Sequence, residues 1–223
     1  MKLTVVSVAG PISIQGAART GRMHEGVPPG GAVVPSRLAD ANRAVGNREE
    51  APAIELLGRL VVRDGGGREQ MFESPTWTYL AAPGGLELPA LVTTWLRKGD
   101  ALSGPLAGTS HAPLVDAPIR IFPGPDHRAF APDAIEQLCA GEYAVVTPER
   151  TGARLHGAAI SRTAARDVTR PMVRGAIEVP ADGQPIVLGP DHPTTGGYPI
   201  LGVVAEADLE RVFCQPAVRF YVA

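Results

Sequence analysis

The chain has 223 residues, with 21 Lys+Arg against 23 Asp+Glu, a formal charge of -2 at pH 7. So even a balance carries no electrostatic footprint for nucleic acid and no acidic tail, and the length admits either one β-rich unit or two small domains. Two cysteines, Cys139 and Cys214, are too few for a secreted disulfide scaffold and lack the paired spacing of a zinc or redox site, so both are expected as buried apolar fillers.

The opening MKLTVVSVAG meets Pro11 well before a membrane-spanning length and lacks a charged stretch ahead of a long apolar one. It reads as a first strand of a cytoplasmic protein. The 26 glycines and 22 prolines are scattered between apolar runs rather than gathered in one tract. An interior proline costs a helix about 3 kcal/mol and an interior glycine about 1 kcal/mol, so short strands joined by tight turns explain this punctuation better than helices.

In chain order, β-branched and aromatic runs predict strands at 3–8, 53–57, 59–63 and 76–82. One helix is predicted at 36–45, with Leu38, Ala41 and Val45 on one face and Ser36 as its N-cap. The segment 99–118, rich in Gly, Pro, Ala and Ser, reads as the crossing between two subdomains, 1–115 and 116–223. A short helix at 132–139, strands at 142–147, 173–179, 184–189 and 199–205, a helix at 207–213 and a terminal strand follow. Most strands lack the intervening helices of a parallel sheet, which favours a closed, mainly antiparallel, barrel-like arrangement.

Two segments concentrate chemistry. QGAARTGRMHEGVPPGGA, at 15–32, sets Arg19, Arg22, His24 and Glu25 among glycines and prolines. Arg19 offers planar donors to a carboxylate or phosphoryl group and His24 a proton carrier near neutral pH, or both simply bond loop carbonyls. ADGQPIVLGPDHPTTGGYP, at 181–199, leads from a strand into Asp191, His192, two threonines and two glycines, an arrangement that either cradles an anion or makes a tight turn. Glu149, Arg150 and Arg154 in PERTGARL either form an ionic turn or line the same cleft. His111, His127 and His156 have no zinc-ligand spacing, so no metal is expected, and neither a GxSxG elbow nor a dinucleotide fingerprint is present.

Taken together, SIQGAARTGRMHEGVPPGGA, ADANRAVGN, AIELLG, YLAAPGGLELP, PGPDHRAF, PERTGARLHG and GAIEVPADGQPIVLGPDHPTTGGYPILGVV resemble the family of 5-oxoprolinase C subunits, also called KipA-like or allophanate-hydrolase-subunit-2-like. The family patterns are TVQDxGRxGxxHxGVPxxGAMD, ANxLVGN, SDRMGxRLxG and GxIQVPxxGxPIxLxADxQTTGGYP. The likeness spans essentially the whole chain and is most specific in TTGGYP. It implies a mainly β fold of two cyclophilin-like β-barrel subdomains with a few short helices, the first of carboxyltransferase type.

The same resemblance implies a component of an ATP-dependent complex that opens 5-oxoproline to glutamate, working with a KipI-like B subunit and a LamB/YcsF-like A subunit. The alternatives are a component of a biotin-dependent carboxyltransferase acting on urea, another amide or a small acid, with biotin on a separate chain, and a non-catalytic scaffold or regulatory module. No cofactor is expected to be tightly bound, and neither nucleic acid nor membrane is an expected partner. Asp191 and His24 are the implied catalytic groups, with Gln15, Arg19, Arg150, Arg154, Thr194, Thr195, Gly196, Gly197 and Tyr198 holding a small carboxylate or amide substrate. The chain departs from the patterns at Gly16, at Ala32 to Val34, at Glu149 and at Ile200. It is also shorter than a usual member between Leu60 and about residue 118, and 64–74 is expected to be a short turn replacing family strands.

Overall fold

Alternating apolar and polar residues build β1 (Lys2–Ala9), which buries Leu3 and Val5 and exposes Lys2 and Thr4. The computed structural model describes residues 1–87, 93–108, 115–163 and 169–223. It divides the chain into two units, Met1–Thr20 with Gly30–Pro113, and Gly21–Pro29 with Leu114–Ala223.

The first unit adds β2 (Ile12–Gln15), α1 (Pro35–Ala44), β3 (Ala53–Asp64), β4 (Glu69–Ala81), β5 (Thr94–Trp95), β6 (Ala101–Ser103) and β7 (Ala107–Gly108). Its seven strands form one curled sheet in the order β5-β2-β3-β1-β6, with β4 along β3 and β7 beyond β4. β4 pairs with β3 from Ile54 to Arg63, while β2 and β1 share the opposite edge, β2 as far as Leu56 and β1 from Arg59. The handover falls at Gly10 and Gly58, at φ of 103° and 118°. A Cβ on Gly58 would stand 2.2 Å from the Ala9 carbonyl oxygen, and one on Gly10 would stand 2.3 Å from that of Leu57. Only glycine lets the two backbones come this close. Ile12, Ile54, Leu56, Leu60 and Val62 fill the core on one side of the sheet.

The helix starts one residue earlier than predicted. Pro35 occupies its first turn, where a missing N–H costs no intrahelical bond, and Val34 rather than Ser36 is the N-cap. The two predicted strands at 53–57 and 59–63 are one, because Gly58 makes a bulge rather than a break. The expected turn over 64–74 is also corrected. Asp64 Oδ1 accepts from the N–H groups of Gly66 and Arg68, both at 2.9 Å, so the turn closes quickly and β4 resumes at Glu69. The polar run EQMFES is an exposed ribbon rather than a loop, and polarity alone does not separate the two. Within the expected crossing at 99–118, β6 pairs with β1 and β7 with β4, so these residues complete the first sheet.

The second unit contains β8 (Ile119–Pro123), α2 (Ala134–Ala140), β9 (Glu142–Pro148), β10 (Gly152–His156), β11 (Arg170–Pro171), β12 (Ala176–Glu178), β13 (Ile186–Leu188), β14 (Thr195–Gly196), β15 (Ile200–Val204), α3 (Glu206–Val212) and β16 (Ala217–Val222). Seven of these strands close a barrel in the order β10-β13-β12-β15-β8-β16-β9, with β9 pairing back to β10. Ile119, Ile121, Tyr143, Leu155, Ile177 and Val187 are fully buried and alternate with residues turned the other way. Cys139 and Cys214 are in no disulfide and are half-buried, so the expectation of buried fillers is corrected. Cys139 lies in the last turn of α2 and Cys214 two residues beyond α3.

A second apolar cluster of the barrel unit joins Met172, Ala176, Leu188 and Ile200, with Ile186 and Val203 against it. Ala176 and Leu188 alternate along their strands with the barrel-filling Ile177 and Val187, so this cluster lies on the outer face. The small ribbon of β11 and β14 covers it, with the Met172 N–H donating to the Thr194 carbonyl at 3.0 Å. No helix among the described residues is long and apolar enough to cross a membrane.

Candidate functional site

In the first unit, Gln15 ends β2 completely buried, its Nε2 donating to Ser13 Oγ at 3.0 Å while its Oε1 has no hydrogen-bond partner among the described residues. Arg19 is half-buried, and its Nε and Nη2 lie out of solvent without a hydrogen bond among the described residues. Its guanidinium rests where a side chain on Gly30 would be, since a Cβ there would fall 2.1 Å from Nη2. Gly30, at φ of 61°, therefore serves both the turn and the seat of Arg19. The loop behind it is held by buried Glu55, whose Oε2 accepts from the Val33 N–H at 2.8 Å and the Tyr79 hydroxyl at 2.6 Å. Asn42 and Asn47 perform the same service for the ANRAVGN segment: Asn42 Nδ2 donates to the Ala51 carbonyl at 2.7 Å, and Asn47 Nδ2 to that of Ala82 at 2.8 Å. Gly16, where the family pattern has Asp, lies against the 50–52 backbone, a Cβ there meeting the Glu50 carbonyl at 3.2 Å.

His24 belongs to a single turn, Met23–Glu25, grouped with the second unit. Its side chain is 75% exposed and its Nε2 lies 3.6 Å from Glu25, whose carboxylate is already held by Arg22. Its surroundings are those of an open surface histidine.

The second unit brings PERTGARL and GPDHPTTGGYP together through β10 and β13, which pair Gly152 with Leu188. Arg150, 2% exposed, donates Nε to Asp191 Oδ2 at 2.8 Å and Nη2 to Oδ1 at 2.9 Å. The Asp191 N–H donates in turn to the Arg150 carbonyl at 3.0 Å. Both oxygens of the Asp191 carboxylate thus accept from one buried guanidinium, and the pair fixes the start of the glycine-rich loop.

His192, next along, is fully buried. Its Nδ1 lies 2.8 Å from the Pro193 carbonyl, and its Nε2 has no hydrogen-bond partner among the described residues. Burial pushes its pKa down and nearby Arg174 adds to this, against upward contributions from the Pro193 carbonyl and Asp191, so the ring is neutral.

Arg154 sits in a row running across the outer face of the barrel. It is paired with Thr147 on β9 and Ile186 on β13, and Ile186 is paired with Glu178 on β12. A pocket of about 360 Å³ lies along this row, its wall including Thr151, Glu149 and Pro193 as well as the row residues. Arg154 forms an exposed ion pair with Asp182. Glu178 is 6% exposed, and burial pushes its carboxyl pKa up. Gly196 lies directly over it, so that a Cβ there would be 2.9 Å from Glu178 Oε1. Thr194 is half-buried, Gly197 likewise, and Thr195 and Tyr198 are exposed. The sequence reading passes over Glu178, for which the available signals are a lone charge in the apolar run AIEVP and a Glu where the family pattern has Gln. His111 lies outside the described residues, and among those described no group of three His, Cys, Asp or Glu could hold a metal ion.

The chain is similar to two proteins named as the C subunit of 5-oxoprolinase. The Escherichia coli one is 29% identical, over 88% of this chain and 82% of the relative. The Haemophilus influenzae one is 24% identical, over 93% of this chain and 85% of the relative. Among solved structures, TTHA0988 superposes with a TM-score of 0.80 at 23% identity, covering 99% of this chain and 55% of that one. The chain thus spans about half the length of that protein. Kluyveromyces lactis urea carboxylase gives 0.77 at 20% identity, covering 98% of this chain and 27% of that one, and both likenesses are of fold. The carboxyltransferase domain, subdomain A and B, family matches residues 60–217, and the chain belongs to it.

Proposed function

We propose that the protein is the C-type subunit of a 5-oxoprolinase, which opens 5-oxoproline to glutamate with ATP in a complex with a KipI-like B subunit and a LamB/YcsF-like A subunit. The observation that carries this reading is the end-to-end match to two relatives of that name, over 88% and 93% of this chain. The outer-face pocket of the barrel, with Arg154 as its cation, is the proposed seat of a small carboxylate. Its ion pair with Asp182 is exposed and therefore weak, so a ligand carboxylate can replace it. Arg19, with its guanidinium seated on Gly30, is a second anion-binding group in the other unit. The engagement of Asp191 by Arg150 favours a second reading, in which the chain binds and positions substrate while another protein of the complex supplies the base.

Co-expression with B-like and A-like chains, followed by size-exclusion chromatography and an assay of ATP-dependent glutamate release, tests the assignment. The isolated chain is expected to be inactive and the co-purified complex active. A monomer that joins no B-like chain defeats the proposal. Turnover that needs a biotin-carrier chain instead of ATP moves the protein to carboxyltransfer.

A further inference from the structure

In the first unit β4 runs for 13 residues along β3, but on its far side β7 pairs only with Leu80 and Ala81. Among the described residues the far edge from Glu69 to Glu73 has no strand beside it. The turn before it fixes which backbone groups face outward. The Asp64 N–H donates to the Arg68 carbonyl at 3.0 Å, so that pair is a hydrogen-bonded one. Such pairs alternate along an antiparallel ladder, so Gln70 and Phe72 bond inward to Val62 and Leu60, while Glu69, Met71 and Glu73 turn N–H and C=O to the outside. No backbone hydrogen bond beyond the ladder reaches these groups among the described residues. Met71 is 60% exposed, and Glu69, Gln70 and Glu73 are exposed as well. Beside the edge lies a groove of about 460 Å³, its wall including Phe72, Ser74, Thr76, Thr78 and Leu80, the alternate residues of β4 on the side of the apolar core.

An edge of this kind accepts a further strand, and the charges select which. A second copy of β4 laid antiparallel must set outward-turned residues against one another. Centred on Met71, it places Glu69 against Glu73 on both sides of the axis, like charges face to face. Centred on Gln70, it sets Phe72 against Arg68 in the turn and leaves the groove empty. Centred on Phe72, it sets Met71 against Glu73 and Gln70 against Ser74, opposes no like charges, and lays the second Phe72 ring over the groove. Glu69 is already held by Arg63 on β3 and does not interfere. We propose that this edge is a self-association surface, on which two copies of the chain pair β4 with β4 about Phe72 and join their curled sheets around a two-fold axis. The exchanged hydrogen bonds run between Met71 of one copy and Glu73 of the other.

Sedimentation velocity of the whole chain over a range of concentrations, with hydrogen exchange of the 69–73 amides, tests this. A monomer–dimer equilibrium is expected, with these amides gaining protection as the dimer fills. Met71→Pro removes an outward N–H and no bond to β3, so it should weaken association at least about tenfold while melting close to wild type. A non-hydrogen-bonded cross-strand pair has its Cα atoms about 4.5 Å apart, within disulfide range. In a Cys139→Ser, Cys214→Ser background, Phe72→Cys should therefore form an intermolecular disulfide on mild oxidation, and Gln70→Cys should not. A chain that stays monomeric at every concentration overturns the proposal, as does a dimer that a folded Met71→Pro variant leaves intact, or one that Gln70→Cys cross-links as readily as Phe72→Cys. Amides at 69–73 that gain protection only when a B-like chain is added assign the edge to that partner and likewise overturn self-association.

Discussion

The guanidinium of Arg150 grips both oxygens of Asp191, at 2.8 and 2.9 Å, across 41 residues of sequence. The arginine is 2% exposed, so removing Asp191 breaks an ion pair at a buried charge. Removing one member of a buried pair costs about 3–5 kcal/mol. Asp191→Ala should therefore lower the urea midpoint sharply at an unchanged slope, and Asp191→Asn, which keeps one acceptor, should do so less. A fully stable Asp191→Ala protein that has lost only turnover would restore Asp191 as a proton acceptor.

Glu178 makes a pH prediction with a definite sign. Its carboxyl pKa is raised by burial, so between the ordinary glutamate value and the raised one the folded state holds a proton that the unfolded state has lost. Stability should be complete below the ordinary value and fall as pH rises through the folded one. Glu178→Gln removes the titration and should flatten this part of the pH–stability curve. Melting temperatures from acid to alkaline pH check it, and a curve unchanged by the substitution contradicts the assignment.

His192 acts in the opposite sense. Its pKa is lowered, chiefly by burial, so the unfolded chain binds the extra proton first. Stability from this group is present above the ordinary histidine value of about 6.5 and is lost as pH falls through the lower folded value. His192→Asn should shrink the acid-side slope. Urea titrations at neutral and mildly acid pH would reveal it, and an undiminished slope would point to another group.

Gly30→Ala tests the seat of Arg19. The new methyl would stand 2.1 Å from Nη2, and the residue would remain at φ of 61°. The left-handed conformation costs a non-glycine residue about 1–2 kcal/mol, and the guanidinium must leave its place. If Arg19 holds an anionic ligand, Gly30→Ala and Arg19→Lys should each weaken its binding about ten- to a hundredfold. A variant that is merely less stable, with affinity intact, makes the contact structural.

What could be read along the chain was local. The β-branched run of β1, the apolar face of α1 and the short strands between glycines and prolines follow from backbone preferences and side-chain period, which neighbouring residues determine. PERTGARL and GPDHPTTGGYP stood out for the same reason, as dense polar groups among glycines. Their roles did not, because a role depends on what lies opposite.

Only the closed barrel sets Arg150 against Asp191, by pairing Gly152 with Leu188. Glu178 shows the same limit from the other side. In AIEVP it occupies an outward position on a strand, where glutamate is ordinarily solvated. Its burial is imposed by the β11 and β14 ribbon and by Gly196 above it, elements with little local strand signal that are held there by the outer apolar cluster. The sequence determined which segments become strands and which residues are chemically capable. The tertiary structure decided which of those residues are neutralised by a partner and which are buried without one, because desolvation and pairing are properties of the assembled surroundings and not of the residue.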